Sequence, residues 1–142
     1  GEIMADLEEI MLKAWINMSV NTRENRLLNE LSFNEMLVLN MIQDKECSFK
    51  ELVNELNILK SQLNRVIQNL VQKKLIIAYT PENDKRSLMI KKGDNTELYK
   101  QEHARMIEIM RKIRKQIGEE DTLKLIYLLN QVASLVKEEN EK

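Results

Sequence analysis

One 13-residue stretch, Lys60–Gln72, holds side chains suited to reading hydrogen-bonding edges. Leu63, Val66, Ile67 and Leu70 recur in steps of three and four, which predicts a helix with one apolar face. The opposite face carries Lys60, Ser61, Gln62, Asn64, Arg65, Gln68 and Asn69. Amide side chains match the donor and acceptor on adenine. Guanidinium matches the two acceptors of guanine, and lysine matches phosphate. No acid occurs from Lys60 to Lys74. An ordinary solvated helix face would mix Glu with Lys, whereas phosphate repels acids. A nucleic-acid interface explains this composition better than a plain surface helix does. Lys85 and Arg86 add a second cationic point, inside the turn-forming run Pro81–Arg86. The plain alternative there is a charged turn.

Other chemistry is scarce. The chain has one Cys, one His and three Gly. A single Cys excludes an internal disulfide, and one Cys with one His argues against a Cys/His zinc site. No glycine-rich phosphate loop or motif-borne carboxylate pair is present, so the expectation is a protein that is not an enzyme and needs no metal or cofactor. Cys47 reads as a packed thiol and His103 as an ordinary surface or core residue. The opening residues are acidic and no apolar run reaches membrane-spanning length, which predicts a soluble, cytoplasmic protein.

The elements that position the basic residues follow from periodicity and caps. Ile3, Leu7, Ile10, Met11, Ala14, Trp15 and Met18 predict a first helix ending near Val20. Asn21–Leu31 reads as a turn or linker. Ser32–Glu35 is a capping box that opens a helix through the apolar run Met36–Ile42. Ser48–Glu51 is a second box, opening a helix that buries Leu52, Val53 and Leu56. After the break Asn57–Leu59 comes the helix at Lys60. Leu75–Thr80 and Ser87–Lys91 predict the two strands of a single hairpin. Asp94–Glu97 reads as a third box, for a long helix to about Ile117. Gly118 is then a left-handed stop. The last helix turns Leu125, Leu128, Leu129, Val132, Leu135 and Val136 to one side, before a charged, frayed tail from Lys137.

Net charge is −1, which argues at first against an anionic partner. Its distribution reverses that: residues 1–59 carry −6, residues 60–92 carry +6 and residues 93–142 carry −1. The local field steers a charged partner, and the basic block coincides with the helix at Lys60 and the hairpin.

Two short helices, a break of three residues and a following hairpin form a winged helix-turn-helix pattern. At Glu51–Leu56, Lys60–Val66 and Glu82–Ser87 the chain resembles the MarR (multiple-antibiotic-resistance) family of winged-helix repressors. The last stretch is similar to that family's Asp-x-Arg wing signature. The resemblance implies a mainly α fold with a small β wing and six helices. It implies dimerisation helices at 1–31 and 93–142 around a DNA-binding region at 32–92, intertwined as one domain. It also implies a homodimer, with Arg86 in a minor groove and Asp84 holding the wing. An effector cleft near Met11, Trp15, Met18, Met36 and Met106 is a further expectation from the family. Four positions depart from the family pattern. Lys74 replaces a usual glycine, Leu59 replaces a usual polar cap, and Lys91-Lys92 replace Leu-Thr. The alternative from another class is a winged helix that binds a protein and not DNA.

Overall fold

A computed structural model describes residues 2–23 and 28–142, with side chains of the first helix from Asp6 onward. Part of the linker expected at Asn21–Leu31 lies outside the described residues. The chain divides into two compact units, residues 1–105 and 106–142.

In the first unit, α1 spans Glu2–Asn21. Its apolar residues Leu7, Ile10, Met11, Leu12, Trp15, Ile16, Met18 and Val20 are all exposed. Helix α2 (Phe33–Met41) starts at Ser32 with both halves of the capping box formed: Oγ of Ser32 accepts from Glu35 N–H, and Glu35 Oε1 accepts from Ser32 N–H. The apolar run behind it buries Met36, Val38, Leu39 and Ile42. The second box forms in the same way at Ser48 and Glu51, opening α3 (Phe49–Leu56). There the Glu51 carboxyl is held below its ordinary value, chiefly by the Ser48 backbone N–H and then by Lys45.

Asn57 ends α3 in the left-handed region at φ 52°, which its short side chain tolerates. Helix α4 (Lys60–Gln72) follows and packs against α2 and α3 through Leu63, Val66, Ile67 and Leu70.

The sheet departs from the expected single hairpin. Cys47–Ser48 forms a short strand, β1, so the sheet has three antiparallel strands in the order β1-β3-β2. Two residues carry no alternation, so nothing in the sequence marks β1. Strands β2 (Ile76–Tyr79) and β3 (Met89–Lys92) pair Ile76 with Lys92 and Tyr79 with Met89. The returning strand thus begins two residues later than expected, because Asp84 keeps Ser87 in the turn.

Gly93 closes the sheet against the end of α4. Its N–H donates to Leu75 C=O at 2.9 Å, and a Cβ there would lie 2.5 Å from Lys74 O. No side chain fits that approach.

Helix α5 (Glu97–Ile117) corrects the third capping box. It begins at Glu97, so this Glu is the first helical residue and not the third, and the box cannot form from Asp94. Glu102 is the one buried residue of α5. Its carboxylate accepts from the N–H groups of Asn29 and Glu30 at 2.9 and 3.0 Å, which holds the start of α5 to the chain entering α2.

In the second unit, the end of α5 leads through Gly118 into α6 (Glu119–Asn140). Gly118 has φ 90° and ψ 164°. This is a region open essentially to glycine alone, yet it is not the left-handed helical stop expected. Gly118 C=O accepts from Thr122 N–H and Oγ1, so the residue begins α6 as much as it ends α5. The expected frayed tail is helical through Asn140. No residue of α6 is buried, and Leu125, Leu128, Leu129, Leu135 and Val136 stand exposed.

Candidate nucleic-acid interface

Burying Leu63, Val66, Ile67 and Leu70 orients α4, and the same rotation exposes Lys60, Ser61, Gln62, Asn64, Arg65, Gln68 and Asn69 together. Both ends of this helix are fixed by unusual residues. At its start Leu59 takes the cap position but has no acceptor to offer, so only half of a box forms: Gln62 Oε1 accepts from Leu59 N–H at 3.3 Å. At its end Leu75 N–H donates to Leu70 C=O and Lys74 N–H donates to Val71 C=O. This is the paired closure that normally places glycine in the left-handed position. Here Lys74 occupies it at φ 63°.

The turn between β2 and β3 is organised by Asp84. Its Oδ1 accepts from Arg86 N–H at 3.2 Å, and its Oδ2 accepts from Ser87 Oγ at 2.7 Å. Lys85 and Arg86 are exposed beyond it. Both Asp84 carboxylate oxygens serve the turn, and no ion pair among the described residues joins Asp84 to Arg65. The turn is anchored to the helices by Phe49 N–H, which donates to Leu88 C=O at 2.8 Å.

A groove of about 400 Å³ opens where α3, α4 and this turn meet. Lys60, Asn64 and Arg86 all line it. Ser61, Gln62, Arg65, Gln68, Asn69 and Lys85 are exposed outside it. The groove also holds Lys50, which sequence reasoning missed. A signal was available. Lys50 stands at the second position of α3 and Lys60 at the first of α4. Helix N-termini favour acids through the macrodipole, so a cation at each of two adjacent N-termini raises the local positive potential at some cost in helix stability.

The basic block is not uniformly available. Lys73 Nζ lies 3.0 Å from buried Glu35, which spends its charge inside the winged helix. Lys91 Nζ stands 5.0 Å over the Tyr79 ring. The Tyr79 hydroxyl donates to Glu46 at 2.6 Å, and that bond raises its pKa.

Cys47 is fully buried, and burial followed by the charge of Glu51 pushes its thiol pKa up. Such a thiol is a weak nucleophile. The His103 ring lies 5.7 Å from that of Tyr99. Met36 is buried in the winged-helix core, whereas Met11, Trp15 and Met18 stand open on α1. Met106 is half-buried in the second unit. Among the described residues, no His/Cys/Asp/Glu group could hold a metal and no helix is long and apolar enough to cross a membrane.

A helix-turn-helix with an acid-free second helix, braced by a three-stranded sheet with a basic tip, defines a winged helix-turn-helix protein. Residues 29–87 match the model of the MarR family. The fold is similar to that of a mutant MarR from E. coli complexed with operator DNA, at 26% identity and TM-score 0.72, over 89% of this chain and 96% of that one. It is also similar to the transcriptional regulator BldR from Sulfolobus solfataricus, at 19% identity and TM-score 0.73, over 94% and 98% of the two chains. BpsR of Bordetella bronchiseptica, whose DNA binding is regulated by 6-hydroxynicotinic acid, matches at 20% identity and TM-score 0.64, over 74% and 76%. No curated protein is matched by sequence. The winged-helix region of the chain, residues 29–87, is thus similar to the MarR family of winged-helix regulators.

Proposed function

We propose that the chain is a homodimeric transcriptional repressor that reads a pseudo-palindromic operator. Helix α4 enters the major groove with Ser61, Gln62, Arg65, Gln68 and Asn69 toward base edges. Arg86 and Lys85 reach the adjacent minor groove, and Lys50 and Lys60 hold the phosphate backbone between them. The observation that carries this reading is the groove in which cations from α3, α4 and the turn converge beside an acid-free helix face.

The MarR complexed with operator DNA supports the DNA partner. The exposed apolar residues of α1, α5 and α6 support a second copy as partner, through the segments 1–31 and 93–142. BpsR, regulated by 6-hydroxynicotinic acid, supports release by a small aromatic effector. We place that effector near Met11, Trp15 and Met18 of the first unit. Met36, being core, contributes through packing. The protein acts in the cytoplasm.

Binding of wild-type protein to duplex DNA across a salt series tests the reading. Affinity falls steeply with salt, and Arg86→Ala lowers the log–log slope by about one while weakening all sequences alike. Arg65→Ala changes base preference. Unchanged affinity in both variants overturns the site.

A further inference from the structure

Gln62 is one of the exposed amides of α4, and an unrestrained glutamine pairs adenine by accepting from N6 and donating to N7. Here its acceptor is turned back to the start of the helix. Leu59 occupies the cap position without an acceptor of its own, and Gln62 Oε1 takes the Leu59 N–H at 3.3 Å. A backbone N–H can only donate, so the atom facing it is the oxygen and the amide nitrogen is the one left outward. That nitrogen has no acceptor among the hydrogen bonds of the described residues.

Resting on the DNA-binding reading above, we infer that Gln62 is a donor-only base reader, set by the capping bond to Leu59, and that it selects guanine over adenine. Guanine shows two acceptors, O6 and N7, in the major groove. Adenine shows one acceptor and a donor, and the Gln62 oxygen is turned toward Leu59 N–H while the amide N–H groups face outward.

The test is selection of bound duplexes from a random pool, with wild-type protein and three variants. Gln62→Ala marks the contacted position as the one whose preference flattens. At that position wild type favours guanine over adenine by about fivefold or more. Leu59→Pro removes the N–H that occupies Gln62, and Leu59 already has φ −68°, the angle that proline fixes. Its preference moves toward adenine. Gln62→Glu keeps an acceptor for Leu59 N–H but has no donor, so the guanine preference disappears while melting temperature holds. Gln62→Glu also keeps the inference falsifiable should Leu59→Pro fail to fold. Adenine preferred by wild type, an unchanged preference in folded Leu59→Pro, or guanine still preferred by Gln62→Glu overturns the inference with DNA binding intact. A pool in which nothing is enriched by wild type overturns the DNA-binding reading, and this one with it.

Discussion

Asp84 and Arg86 divide the work of the wing tip. Asp84 spends both carboxylate oxygens on the turn, at Arg86 N–H and Ser87 Oγ, while the Arg86 side chain lines the groove. Asp84→Ala frees the tip without removing a cation. It weakens DNA binding through tip mobility, leaving the salt slope near the wild-type value, in contrast to the loss of about one expected for Arg86→Ala. Titrations at several salt concentrations separate the two. Glu102 is the other decisive single residue. It is 3% exposed and holds two backbone N–H groups. Glu102→Ala leaves both N–H groups without that acceptor. It costs on the order of 2–4 kcal/mol of stability in chemical denaturation, by the usual penalty for orphaned buried donors. A loss under about 0.5 kcal/mol contradicts the clamp.

At the scale of elements, the end of α4 shows strain that can be relieved. Lys74 is left-handed, and a side chain pays about 1 kcal/mol there relative to glycine. Lys74→Gly therefore raises stability by about that amount, measured by denaturant midpoint. Gly93→Ala lowers it, since the added Cβ meets the Lys74 and Leu75 backbone. The legible part of the fold was whatever local chemistry dictates. Ser32–Glu35 and Ser48–Glu51 form their boxes because an apolar face follows each at helical spacing. Asp94–Glu97 has the same kind of pattern and does not, because α5 starts two residues later than a box at Asp94 requires. Strand β1 escaped because it exists only by pairing with β3, at Cys47–Ile90 and Ser48–Met89. Of the candidate site, the exposed face of α4 could be read from the sequence. The groove could not, because Lys50 and Arg86 are brought together only by the Phe49–Leu88 backbone bond and the fold of the sheet.

For the whole molecule, the net charge of −1 conceals an asymmetric surface. The cations Lys50, Lys60 and Arg86 converge at one groove, where the local field favours an anionic partner. The exposed leucines of α6 and the exposed apolar residues of α1 exceed what isolated surface helices carry. A second copy would cover them. Leu128→Glu on α6 is accordingly expected to shift sedimentation toward monomer and to lower operator affinity at least about tenfold, by loss of the linked half-site. A dimer unaffected by this change moves the interface away from α6.

The most direct test of the central claim is the set of duplexes that wild-type protein enriches from a random pool. The expected result is a pseudo-palindrome whose half-site centres lie roughly one helical turn, about 34–36 Å, apart. An enriched set without two-fold symmetry, or no enrichment at low salt, would contradict it.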